Sequence, residues 1–169
     1  MSREAALAAF DEARDRFLVA FEEVPDTALG FLKPGDDYSI GGLLAHLTWG
    51  LRHYSGVLEA AVSGGFGEFR DPPDPADLAR ASAEGRESLS ASDRGAALES
   101  LGSAHARLAA QARAVPEADF ERTAPVRYGD ATEPFPTSAA TILVWMTEHY
   151  DEHIPHVGEL LAAAGGRAD

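Results

Sequence analysis

The chain has 169 residues, 45% of them hydrophobic and 25% charged, which fits one soluble globular domain, expected over 1–169, and leaves little room for two. Asp and Glu total 28 against 14 Lys and Arg, a net charge of −14, so phosphate backbones and anionic lipid are repelled and neither nucleic acid nor a membrane is expected as a partner. Cysteine is absent, which excludes disulfides, zinc–thiolate sites, iron–sulfur clusters and a cysteine nucleophile, suits a cytoplasmic protein, and restricts metal chemistry to histidine and carboxylate ligands.

Met1-Ser2-Arg3-Glu4 leads into an acidic amphipathic stretch, without the apolar core expected of a signal peptide. From Ser2 to about Val24, Leu7, Phe10, Phe17, Phe21 and Val24 recur at three- and four-residue steps, the period of a helix with one buried stripe. Pro25 closes that helix, and Leu29 to Gly35 has the chemistry of a connector. Ser39 is the expected N-cap of a second helix, Ile40 to about Val62, with Leu43, His46, Gly50, His53 and Val57 on one face. Ser63 to Pro75, rich in Gly, Pro and Asp, reads as a loop. Residues 76–115 read as helical with a break near Ser90–Asp93, and Leu98, Leu101, His105, Leu108, Ala112 and Val115 form a stripe in the second half. Thr123 to Pro136 holds Pro125, Gly129, Pro134 and Pro136 and reads as a second connector. Thr137-Ser138 then caps a last helix, Ala139 to about Ala164, ended by Gly165-Gly166, with Ile142, Trp145, Met146, His149, His153, His156 and Leu160 inward. No segment has a strand pattern. The expected fold is an all-α four-helix bundle whose long connectors, before helices two and four, argue against a simple up-down ladder.

Histidine is where chemistry concentrates. His149 and His153, four residues apart, stack on one helix face about 6 Å apart, close enough to chelate one ion. A surface pair is the competing reading, but both point the way of Ile142, Met146 and Leu160, where neutral imidazoles need partners. His46, on the apolar face of the second helix, is the natural third ligand, and three ligands with open positions describe a catalytic rather than a closed metal site. His156, one turn beyond His153, is the alternative ligand. His53 lies roughly 10 Å along the helix from His46, too far to share the ion, and reads as pocket-lining or hydrogen-bonded. His105 reads as a satisfied core histidine.

Two stretches carry a family resemblance. Tyr38-Ser39-Ile40-Gly41-Gly42-Leu43-Leu44-Ala45-His46-Leu47 resembles the start of the second helix in the DinB/YfiT-like metalloenzyme family, and His149-Tyr150-Asp151-Glu152-His153-Ile154-Pro155-His156-Val157 resembles that family's last-helix His-x3-His motif. The resemblance runs nearly the whole chain in helix order. It implies a four-helix bundle, a homodimer, and a divalent metal on His46, His149 and His153, used in better-understood relatives to activate a low-molecular-weight thiol. This chain departs from the family pattern at Pro155, where relatives carry Gly, and at His156, where they carry Gln. A proline there is expected to kink the helix just beyond His153 and to re-aim His156 toward the ion.

Three neutral imidazoles leave a divalent ion its full charge, so a bound thiol or water is acidified. With no cysteine in the chain, a thiolate would have to come from a cofactor. Gly50 leaves space beside the metal or packs against a neighbouring helix. Glu152, at the edge of the inner face, is the candidate catalytic residue, orienting a ligand histidine or acting as general base, with a solvated helix carboxylate as the plainer alternative. Trp49, Tyr54 and Trp145 are candidates to wall an apolar pocket, and Lys33, Arg70 and Arg127 to recognise an anionic cofactor. The metal suits Zn or Ni first, then Fe or Mn. Three functions follow for a small-molecule substrate: a thiol-dependent transferase or isomerase, a metal-dependent hydrolase, or a non-catalytic metal- or ligand-binding protein.

Overall fold

Serine side chains set where the first and last long helices start. In a computed structural model that describes residues 1–71, 75–87 and 89–166, helix α1 (Arg3–Glu22) begins at Ser2, whose Oγ accepts the Ala5 N–H at 3.2 Å. Helix α5 (Ala139–Gly165) begins at Ser138, whose Oγ accepts the Thr141 N–H at 3.1 Å. Helix α2 (Gly42–Ser63) starts later than the expected Ile40, so the cap position falls to Gly41 and not to Ser39, whose Oγ still accepts the Gly42 N–H at 2.9 Å. Residues 72–74 of the expected Ser63–Pro75 loop, Ser88 and residues 167–169 lie outside the described residues.

The expected third helix is two: α3 (Pro75–Arg86) and α4 (Arg94–Ala114), separated around the Ser90–Asp93 break. The buried stripes are those the apolar spacing predicts. Phe10, Phe17 and Phe21 of α1, Leu101, His105 and Leu108 of α4, and Ile142, Met146, His153 and Leu160 of α5 all face inward.

Around the bundle, α1 packs on α5, α5 on α2 and α2 on α4. The ring closes from α4 back to α1 through His105 and Asp11, 2.8 Å apart, and through Arg3, which donates to the Val115 carbonyl at 2.7 Å. The order α1–α5–α2–α4 is thus not the chain order, as the long connectors anticipated. Helix α3 lies across the start of α2, where a Cβ on Gly42 would collide with the Gly85 carbonyl.

A purely α fold is not what the chain forms. Strands β1 (Phe69–Asp71), β2 (Ala124–Tyr128) and β3 (Phe135–Thr137) make a small sheet in that order, β1 parallel and β3 antiparallel to β2. The prolines that disguised it, Pro125 and Pro136, sit opposite each other, a pairing that asks neither for an N–H. Ala124 and Val126 are buried, an alternation too short to stand out in the sequence. Among the described residues no helix is long and apolar enough to cross a membrane.

Candidate metal centre

The site lies where α2 meets α5. His46 sits one turn into α2, and His149 and His153 sit on successive turns of α5, so the four-residue spacing puts both rings on the face that meets α2. One ring nitrogen from each of the three histidines falls within 4.8 Å of the other two. The Nε2 atoms of His46 and His149 face each other at 2.8 Å, sharing one proton between them. The His46 ring meets those of His149 and His153 edge to face and the latter two are tilted against each other, with centroids 4.7 to 5.0 Å apart.

All three imidazoles are held neutral. Burial pushes His46 down to about 4, helped by the neighbouring His149 and His156. Burial pushes His153 down to about 3, reinforced by His149, His46 and His156 and opposed by Asp36. His149 is also lowered by burial, with the Glu152 charge pulling the other way. Neutral imidazole is the ligand form, so protonation competes weakly with an ion at neutral pH. Two ligands each ~2.1 Å from one ion lie at most about 4.2 Å apart, so small ring rotations bring this donor set to bonding distance. Three nitrogens and no sulfur suit Zn, Ni, Fe or Mn.

Tyr38 roofs the cluster. Its ring lies 4.2 Å from that of His46 and meets those of His153 and His156 edge-on. Behind it, a turn over Lys33–Asp36 closes with the Asp36 N–H on the Lys33 carbonyl at 3.0 Å, Gly35 taking φ +86° after Pro34. That turn aims Asp36 at His156, whose Nε2 lies 3.0 Å from Oδ2, while His156 Nδ1 lies 3.3 Å from Nδ1 of His153. His156 is therefore bonded beside the cluster and is not one of the three. Helix α5 runs on through Pro155, which leaves the carbonyl of exposed Asp151 without its helical N–H partner.

Other expected residues lie elsewhere. Glu152 is exposed and makes no hydrogen bond or ion pair among the described residues, although its charge reaches His149 and Tyr38. Gly50 faces the His149 ring, where a Cβ would make ordinary contact at 3.4 Å, so it marks the α2–α5 contact rather than an opening. His53 pairs with Asp71 at 3.1 Å and stacks on Trp49. Tyr54 and Trp145 join Tyr128 and Phe135 in an aromatic cluster under the sheet. Arg127 is taken up by Glu68 and the Thr132 carbonyl, and Arg70 by the Gly129 carbonyl, so both arginines pin loops, and Lys33 is exposed. His105 is a core histidine between Asp11 and the Tyr150 hydroxyl. Asp36 and Tyr38 were not singled out as site residues by sequence reasoning. The Lys33-Pro34-Gly35-Asp36 turn was the available signal for the first.

The family model of the DinB superfamily matches residues 9–157. The chain belongs to the DinB superfamily. Two solved structures share the fold. YfiT from Bacillus subtilis, described as a probable metal-dependent hydrolase with an unusual four-helix bundle topology, superposes with a TM-score of 0.73 at 18% identity over 96% of this chain and 87% of its own. The mycothiol-dependent maleylpyruvate isomerase superposes with a TM-score of 0.72 at 16% identity over 94% of this chain. This DinB superfamily chain spans only 61% of the isomerase's length. No curated protein matches the chain.

Proposed function

We propose that this protein is a metal-dependent enzyme in which His46, His149 and His153 hold one divalent transition metal, with Zn or Ni the first choices. The observation that carries the reading is the convergence of three neutral ring nitrogens within 4.8 Å, drawn from two helices, with His153 buried and His46 and His149 half-buried. When bound there, the ion would act as a Lewis acid on a small-molecule ligand, a low-molecular-weight thiol being favoured. The chain's own residues do the rest. The α2–α5 packing fixes the angle between His46 and the His149–His153 pair, and Tyr38 keeps bulk water from one side of the His46 ring. Glu152, at the solvent edge with its charge felt by His149 and Tyr38, is proposed as the group that carries a proton between solvent and the site.

A transferase or isomerase using a thiol leads because the chain lacks a thiol of its own and a fold relative is named for a mycothiol-dependent reaction. A hydrolase is the second reading, favoured by the coverage of YfiT, 87% of its length. The deciding experiment is elemental analysis of protein purified without a polyhistidine tag, beside His149→Ala. Near-stoichiometric transition metal in the first and its loss in the second are expected. No metal in either, with thermal stability unmoved by added Zn or Ni, would overturn the metalloenzyme reading. Given metal, turnover of ester or amide probes without added thiol selects the hydrolase, and dependence on thiol selects the transferase or isomerase.

A further inference from the structure

We infer that Asp36 and His156 are positioning residues that set which nitrogen of His153 is free to bind a metal; the inference rests on the three-histidine reading above. The direction of each hydrogen bond follows from its end. Oδ1 of Asp36 accepts the N–H groups of Asp37 at 2.8 Å and Tyr38 at 3.3 Å, which locks the carboxylate in the turn and presents Oδ2 to His156. An ionised carboxylate only accepts, so His156 Nε2 carries the hydrogen between them. A neutral imidazole that donates from Nε2 can only accept at Nδ1, so His153 donates from its own Nδ1 across the 3.3 Å contact. Nε2 of His153 is left bare.

The chain of bonds runs carboxylate, imidazole, imidazole, from a connector turn to the donor cluster. It extends by one ring the usual arrangement in which a ligating histidine gives its other N–H to a carboxylate. Both outer members are shielded, with side-chain exposures of 18% for Asp36 and 21% for His156, so solvent competes weakly for these bonds. The Pro34–Gly35 turn is what aims the device, and Arg86 braces it by donating to the Asp36 carbonyl and to Asp37.

The chain can be reversed by one substitution. In Asp36→Asn the amide oxygen can keep the two backbone N–H bonds, which turns its NH2 toward His156. His156 Nε2 must then accept, its Nδ1 donates, and His153 is driven to carry its hydrogen on Nε2. In His156→Gln the side-chain amide can still donate to Asp36 and accept from His153, whereas His156→Leu can do neither.

The test uses the full chain. Long-range proton–nitrogen spectra of the metal-free protein read the tautomer of His153 directly. Nδ1–H is expected in the wild type and in His156→Gln, and Nε2–H in Asp36→Asn. Affinity for Co(II), and for Zn(II) by chelator competition, is expected to fall roughly 10- to 100-fold in Asp36→Asn and His156→Leu and to be retained in His156→Gln. An unchanged His153 tautomer in Asp36→Asn overturns the inference, as does equal loss of affinity in His156→Gln and His156→Leu. A change in the Co(II) absorption bands in His156→Gln would mean that His156 is itself a ligand, which also overturns it. A wild type that takes up no metal sinks the metalloenzyme reading, while the tautomer spectra still decide the role of Asp36 and His156.

Discussion

Acid should unfold the metal-free protein through its histidines before its carboxylates matter. In the unfolded chain His46 and His153 titrate near the ordinary value of 6.5, whereas in the fold burial lowers them to about 4 and about 3. The unfolded state therefore binds more protons between those values, so stability is complete above about pH 6.5 and is lost as the pH falls toward the folded values. Each such histidine contributes a slope of about 1.36 kcal/mol per pH unit, so a drop from about pH 6.5 to about pH 5 removes roughly 2 kcal/mol per histidine, or about 4 kcal/mol from the pair. That is a large part of a typical domain stability of ~5–15 kcal/mol. His149 and His105 are shifted the same way and add to the trend. Urea unfolding in the presence of a chelator, repeated across this pH range, measures the slope. The control is a His46→Leu/His153→Leu double variant, which should lose about two protons' worth of slope and keep the part that belongs to His149 and His105. Parallel slopes in the two proteins would refute the claim that these imidazoles are buried in their neutral form.

Further outcomes follow from contacts elsewhere in the bundle. Gly42→Ala drives a methyl into the Gly85 carbonyl, a backbone atom that cannot swing aside, and should cost about 1–3 kcal/mol or more by denaturant unfolding. Gly56→Ala, also within α2 but with nothing near its Cβ position, should instead gain about 0.5–1 kcal/mol. His105→Leu strands the fully buried Tyr150 hydroxyl and should cost about 1–3 kcal/mol. Adding Tyr150→Phe should recover part of that loss, so a double-mutant cycle with no coupling would contradict the hydrogen bond.

Much of this molecule was readable because its signals are local. Ser2 and Ser138 announce helix starts by chemistry confined to one turn, and the phenylalanines of α1 declare its buried face by spacing alone. His149 and His153 are paired by the helix period, and His46 joined them because it lies on the one inward face its helix offers. What escaped depends on contacts between distant segments. Pro125 and Pro136 read as breakers because only the partner strand reveals that their missing N–H groups are not needed. The break between α3 and α4 near Ser90–Asp93 was legible, but the docking of α3 against Gly42 at the start of α2 was not, since no local pattern records that contact. Asp36 looked like one more acidic loop residue, and its role appears only when a helix 120 positions away brings His156 to it.

The pairing of α1 with α5 has a consequence for biogenesis. Helix α1 leaves the ribosome well before α5, the helix on which it docks, and the donor cluster joins His46 to His149 across 103 positions. Neither the α1–α5 part of the core nor the three-histidine cluster can form before α5 has emerged, so α1 must wait until then for the partner of its phenylalanines. At ~5–20 residues per second, making the residues from the end of α1 to the end of α5 takes about 7–30 s. A metal ion captured by all three histidines would thus mark a chain in which α2 and α5 have both been made and docked.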